Sequence, residues 1–362
     1  MRRFRSVAYT VPLRLLVVGP LPPPLGGATV LFNQLVKGLQ QSDAIDVTVL
    51  DTARRTGTTR TVTLLKTVAA LIRQCSRCQI VSLHTSLSGA LAYGAAVRVV
   101  AFLFRKPVIF RGFGGNYPVW YRSLPRWKQW FFRYSVLKSN AVLLETKESV
   151  EFFAPLAHHR VVWYPNSRHL AETSRKNNKK TARNLVFVGQ IKTDKGVDLL
   201  IDVARDIPDI RVDFFGPFSE EMDEHVFSAN NVRYLGVLEP SIVQSKLRQY
   251  DALVMPTFYD GEGYPGVILE AFAAGLPVVT TRWRCITEIV DETCGVLVAP
   301  KDGIALKQGI NQIKTDEELY ARCCSGALDR AKFFSAESWT QHFEILCQEL
   351  VNCRAENCDT ND

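Results

Sequence analysis

Hydrophobic residues along this chain of 362 residues gather into short apolar runs, separated by longer stretches with helical spacing. In the first half the runs are 13–19, 45–51, 79–85, 107–113, 141–146 and 160–165. In the second half they are 185–189, 212–216, 232–236, 252–256, 277–281 and 295–299. Continuous apolar runs of about four to eight residues read as strands buried on both faces, and their alternation with helix-length segments predicts βα units in parallel sheets. Helices are expected over 197–205, 241–250, 265–274 and 304–314. Between the two series, 167–183 is polar, basic and without apolar periodicity, as a linker would be. The last periodic segment, 338–351, places Trp339, Phe343, Leu346 and Leu350 at helical spacing, and the AENCDTND that ends the chain reads as a frayed tail.

The fold class expected is therefore α/β, with two doubly wound Rossmann-like domains, 1–166 and 184–337, joined by the linker. Open sheets of this kind bind ligands beyond the carboxyl ends of their strands, at the point where strand order reverses. Two such domains would direct those ends toward a shared central cleft.

Composition narrows the class. Hydrophobic residues make up 47% of the chain, enough for two cores, and the formal charge is +8. That charge is spread along the sequence and not packed into a block, so phosphate groups and lipid head groups are expected partners and nucleic acid is not. Nine irregularly placed cysteines include one C-x-x-C pair, Cys75 and Cys78, with no second pair at zinc-like spacing. They read as reduced thiols of a cytoplasmic protein. The basic-then-apolar start, MRRFRSVAYTVPLRLLVVG, ends in GPLPPPLGG without a small-residue cleavage site and reads as a first strand. No transmembrane helix is expected, because the apolar segment 90–104 is short and interrupted by Arg98.

The most specific stretch is DALVMPTFYDGEGYPGVILEAFAAGLPVVTT, 251–281, a strand, a Gly-rich loop, a helix and a strand. Glu262 lies in the loop and Glu270 in the helix, eight positions apart. With Pro265 in the first turn, Glu270 stands roughly 8 Å along the helix from its start. A helix N-terminus after a parallel strand is an anion site. Carboxylates flanking an anion must reach past it, and a hexose, diphosphate and ribose in series would satisfy both demands. Glu270, among Ile268, Leu269, Ala271 and Phe272, needs a partner if ionised.

Other candidates are weaker. Gly26 and Gly27, after the first strand, would allow close approach to a phosphate or sugar, or simply form a strand-to-helix loop. His84 ends a strand and could assist proton transfer, or be a satisfied loop histidine. Arg111 either faces an anionic ligand or lies on the surface. Lys192 and Lys195 follow the first strand of the second domain, where a lysine would meet phosphate, or are solvated loop residues. WYRSLPRWKQWFFRY, 120–134, mixes aromatic and basic residues as an interfacial membrane helix does, the alternative being a helix with an aromatic core face.

EGYPGVILEAFAAGLPVV resembles the E-x7-E signature of retaining glycosyltransferases of family four, which have the two-Rossmann GT-B fold. VGQIKTDKGVDLLIDVA resembles their phosphate loop, GPLPPPLGGAT their N-terminal Gly-Gly loop, and RWRCITEIVDETCGVLVAP the segment leading to a further Glu, here Glu288. The resemblance implies that Glu270 binds the nucleotide ribose, Glu262 the transferred hexose, and Lys195 the diphosphate. It further implies that backbone N–H groups of Tyr264, Pro265, Gly266 and Val267 (proline excepted) meet the donor, that Gly26 and Gly27 close over the diphosphate, and that His84 lies beside the anomeric carbon. The helix 338–351 would cross back to the first domain.

The family usually has Arg where this chain has Gln190, so Lys192 takes over that charge or diphosphate binding is weaker; Arg111 stands where many members have His-Gly. The implied function is retaining transfer of a sugar from a nucleoside-diphosphate sugar to a glycan or lipid-linked acceptor in cell-surface polysaccharide synthesis. No cofactor and no metal are expected, and 120–134 would touch the inner face of an anionic membrane. A GT-B nucleotide-sugar epimerase and a non-catalytic nucleotide-sugar-binding protein are the alternatives.

Overall fold

The computed structural model describes residues 11–24, 26–54, 57–170 and 180–359, with side chains through 354. The chain divides into unit 1, residues 1–164 with 336–362, and unit 2, residues 165–335.

Unit 1 contains β1 (Leu13–Gly19), α1 (Gly27–Gln40), β2 (Ile45–Asp51), α2 (Arg60–Cys75), β3 (Ile80–Ser86), α3 (Leu87–Leu103) and β4 (Val108–Phe113). It continues with α4 (Tyr117–Ser123), α5 (Arg126–Ser135), β5 (Ala141–Leu144), α6 (Lys147–Phe153) and β6 (Arg160–Trp163). Its six strands are ordered β2-β1-β3-β4-β5-β6, all parallel. Alternate residues of β1 feed opposite faces: Leu16 and Val18 pack with Leu83, Phe110 and Phe132, while Leu15 and Val17 pack with Phe32, Ile109 and Phe343. That two-sided burial is why the strands read as unbroken apolar runs.

Unit 2 contains β7 (Asn184–Val188), α7 (Val197–Arg205), β8 (Arg211–Phe215), β9 (Val232–Tyr234), α8 (Val243–Leu247), β10 (Ala252–Met255) and α9 (Gly266–Ala273). Then come β11 (Val278–Thr281), β12 (Gly295–Val298), α10 (Gly303–Thr315) and α11 (Glu317–Phe333). The strand order is β12-β11-β10-β7-β8-β9, again all parallel. Order reverses between β1 and β3 in unit 1 and between β7 and β10 in unit 2, so these pairs are the switch points. Both sheets match the expected α/β class.

Several elements differ from expectation. Helix α11 carries its buried stripe on Tyr320, Cys323, Cys324, Ala327 and Ala331, mostly small residues that give a faint hydrophobic period. Pro125 precedes α5 as an extended residue and splits 120–134 into the end of α4 and most of α5. Pro265 is the extended residue before α9 and not its first turn. The expected linker is described at 167–170 and 180–183, while 171–179 lie outside the described residues; 165–170 belong to unit 2.

Helix α12 (Ala336–Asp359) is longer than 338–351 and continues into the stretch read as frayed. It is held to unit 1 by Trp339, Phe343, Leu346 and Cys347, which join the β1 face of the core. The Tyr164 hydroxyl donates to the Trp339 carbonyl at 2.8 Å. At Gly38 of α1 a Cβ would lie 2.9 Å from Thr340 Oγ1, so glycine permits this close approach. Because Phe343 is fully buried, Phe343→Ala should lower stability by roughly 3–5 kcal/mol, read from chemical denaturation.

Candidate functional site

The unit 2 switch point is formed by two loops, one leaving β7 and one leaving β10. The β7 loop passes through a short 3-10 turn, Thr193–Lys195, and enters α7 at Gly196, whose φ of 74° suits glycine. A Cβ there would also lie 2.3 Å from the Pro256 carbonyl oxygen. The two loops are laced together, since the Phe258 N–H donates to the Asp194 carbonyl at 2.8 Å.

This lacing brings Lys195 and Glu262 into contact. Lys195 Nζ lies 2.6 Å from Glu262 Oε2, and the Thr257 hydroxyl donates to the same oxygen at 2.9 Å. Both side chains are largely shielded, with 18% and 9% exposure. Tyr259 places its ring 4.5 Å from the same ammonium. Lys192, expected as an alternative phosphate charge, forms an ion pair with Asp194 at 2.7 Å, which with its other acidic neighbours holds its ammonium pKa above the ordinary lysine value.

At the other end of the motif, Glu270 Oε1 accepts from Arg168 Nε at 2.7 Å. A Cβ on Gly266 would lie 1.8 Å from Arg168 Nη2, so the guanidinium rests against the first residue of α9. Asn166 donates to the Tyr264 carbonyl at 3.0 Å, and the Tyr264 hydroxyl donates to Glu288 at 2.5 Å. Among the described residues, nothing accepts from the N–H groups of Gly266 and Val267. The start of α9 thus offers free donors beside a cation, the electrostatics of an anion site.

Asn166 and Arg168 are absent from the sequence-based candidates because they straddle the boundary read between the first domain, 1–166, and the linker, 167–183. An arginine three residues after the strand-like HHRVVWYP was the available signal.

In unit 1 the expected residues lie at the carboxyl ends of β1, β3 and β4. Gly26 is extended, with φ of −171°, and caps α1; a Cβ on Gly26 or Gly27 would meet nothing within 4 Å, so no internal contact demands glycine. His84 is fully buried against Phe32, Phe113 and Phe343, with ring centroids 5.1, 6.3 and 5.7 Å away. Its Nε2 lies 2.8 Å from Ser82 Oγ, and Nδ1 has no partner among the described residues. Burial, then the neighbouring Arg111 charge, holds its pKa well below the usual histidine value. Arg111 is 3% exposed and not a surface residue; its guanidinium lies 4.4 Å from the Tyr164 ring and 4.9 Å from the Phe113 ring.

Among the described residues no group of three or more His, Cys, Asp or Glu is placed to hold a metal ion. No helix among them is long and apolar enough to cross a membrane. The described cysteines are all free.

Two parallel, doubly wound α/β units define the GT-B architecture. Residues 171–329, which fall within unit 2, match the family described as glycosyl transferases group 1. An exopolysaccharide phosphotransferase from Streptomyces coelicolor is 28% identical over 58% of this chain and 23% of its own length. An uncharacterized glycosyltransferase from Methanocaldococcus jannaschii is 30% identical over 46% of this chain and 48% of its own. The chain thus spans less than half the length of these curated relatives. Among solved structures, Anabaena Alr3699/HepE in complex with UDP superposes with a TM-score of 0.72 at 15% identity, covering 93% of this chain and 100% of that one.

Two outcomes follow from this geometry. Lys195→Ala should cost roughly 1–3 kcal/mol by leaving the shielded Glu262 carboxylate without its cation; adding Glu262→Gln should recover part of that loss, as a double-mutant cycle in urea would read. For His84 the folded-state pKa lies below the unfolded value of 6.5. The unfolded chain therefore takes up a proton that the folded one refuses, and stability should fall as pH drops below about 6.5. His84→Leu should reduce that slope in urea midpoints measured across pH.

Proposed function

We propose that the protein is a retaining glycosyltransferase that moves a sugar from a nucleoside-diphosphate sugar to a glycan or lipid-linked acceptor, as in cell-surface polysaccharide synthesis. The observation that carries this reading is the pairing of Glu262 with Lys195 and Glu270 with Arg168 around the free N–H groups of α9. The group 1 domain supports the class of reaction, and the UDP complex of HepE supports the class of donor.

The donor diphosphate would take the start of α9. Lys195 would then exchange the Glu262 carboxylate for a phosphate oxygen, releasing Glu262 to accept hydrogen bonds from the hexose hydroxyls. Glu270, steadied by Arg168, would accept from the ribose hydroxyls. In the transfer the bond from the anomeric carbon to the diphosphate oxygen breaks and a bond to the acceptor oxygen forms on the same face. The acceptor proton passes to the leaving diphosphate oxygen. Negative charge grows on that leaving group, and Lys195 with the Gly266 and Val267 N–H groups would offset it electrostatically. His84, enclosed by aromatic rings, would take no part in the reaction.

Helix α5 supports a membrane-side acceptor. Trp127, Trp130 and Tyr134 are 66, 61 and 43% exposed, beside Arg126, Lys128 and Arg133, the mixture that seats at the head-group level.

The test is turnover with candidate UDP-sugars, with and without extracted lipid or glycan acceptors. Transfer in the presence of acceptor is expected; an isomerised nucleotide sugar without acceptor would instead identify an epimerase, and tight binding without turnover a binding protein. Lys195→Ala should lower kcat by roughly 10²–10³-fold, the loss seen when one transition-state donor is removed. Glu262→Ala should reduce transfer while the protein still binds UDP, and unchanged transfer would remove Glu262 from the mechanism.

A further inference from the structure

Away from the switch points, at the amino-terminal edge of the unit 1 sheet, there is a second concentration of charge. Pro107, Asn140 and His159 each immediately precede a strand, β4, β5 and β6. They line a cavity of about 480 Å³ together with Arg98, Arg105 and Lys106 from the end of α3 and its exit, and Arg354 from α12. No carboxylate lines it. Arg98, Arg105, Lys106 and Arg354 have no ion pair among the described residues. The nearby Glu349 is already paired with Arg160 at 2.9 Å.

The bland account is that cations gather near helix C-termini, where they complement the backbone dipole. It covers Arg105 and Lys106, at the end of α3. It does not cover Arg354 and His159, which reach the cavity from other elements. A helix end carries only about half a charge, too little to neutralise four fixed cations. Burial first, then His158, Arg98 and Lys138, hold the His159 pKa below the ordinary histidine value, and of these charges Arg98 lines the cavity.

Val99, Phe102 and Leu103, on the last turns of α3 beside Arg98 and Arg105, are 59, 69 and 72% exposed. Arg98 lies over the Phe102 ring at 5.8 Å. A cationic pocket with an exposed apolar rim fits a phosphate joined to a hydrocarbon.

We propose that this cavity binds a phosphate group, with the apolar rim suited to the phosphate of an anionic phospholipid. The site lies on the edge opposite the strand carboxyl ends and so stands apart from the proposed transfer chemistry. It would hold the protein at a membrane surface whether or not the transferase reading is correct.

The test uses the full-length protein in two arms. In the first, sedimentation with vesicles of phosphatidylglycerol and phosphatidylcholine compares the wild type with Arg105→Gln/Arg354→Gln. Each basic residue near an anionic surface contributes enough that losing two should weaken binding about 30-fold. The charge-matched control Arg60→Gln/Lys66→Gln, on α2, should lose much less. In the second arm, inorganic phosphate is titrated while the His159 ring is followed by NMR; an occupied cavity should raise the His159 pKa, and the double variant should abolish that rise. A response to vesicles alone identifies a lipid phosphate, and a response to inorganic phosphate alone a soluble one. Equal loss in the control and cavity variants together with no His159 response to inorganic phosphate would overturn the proposal. Far-UV circular dichroism and the thermal unfolding midpoint of each variant, compared with the wild type, serve as the folding control.

Discussion

The pairing of shielded carboxylates with cations at the start of α9 is the constraint on which the arrangement of unit 2 depends. Glu262 and Glu270 sit where few waters reach, and an ionised carboxylate there must meet donors or a counter-charge. Each has one: Lys195 at 2.6 Å and Arg168 at 2.7 Å. To bring Lys195 across, the β7 loop must turn sharply at Gly196 and approach Pro256 more closely than a Cβ allows. To bring Arg168 across, the residue opening α9 must be Gly266. The glycines of the motif are therefore consequences of charge pairing as much as provisions for a ligand.

In the proposed reading those pairs would also make the site responsive to an anion. A cation already matched to a carboxylate is not lost to solvent, yet it can change partner when a stronger anion arrives, and the carboxylate left behind becomes a hydrogen-bond acceptor for neutral hydroxyls. A donor with a diphosphate between two hydroxyl-bearing groups meets both changes at once. This is why two carboxylates can flank an anion site without defeating it.

The strands were legible because parallel strands buried on both faces leave continuous apolar runs, as in β1 and β10. Helix α11 was not, since its buried face is built from Cys and Ala with only Tyr320 as a large residue. Glu262, Glu270 and Lys195 could be named from spacing, but their partners could not. Arg168 precedes Glu270 by 102 positions, and its neighbours in sequence are polar enough to resemble a linker. His84 shows the converse limit: the end of a strand suggests access to ligand, but the rings of Phe32, Phe113 and Phe343 that enclose it come from three separate elements.

Gln190 illustrates how charge can be kept while its place in the sequence changes. An anion at the start of α9 senses where positive charge lies in space, not which loop carries it, because the interaction depends on distance and local dielectric. Gln190 contributes none, and Lys192 is committed to Asp194. The guanidinium of Arg168, against Gly266, is a planar donor fork at the helix end itself. Its Nε is held by Glu270 and its Nη1 by the Ser167 carbonyl, so a diphosphate seated there would meet the remaining Nη2 from the segment before the domain's first strand. In the proposed donor pose, Arg168 would thus supply beside the phosphate a positive charge that Gln190 does not.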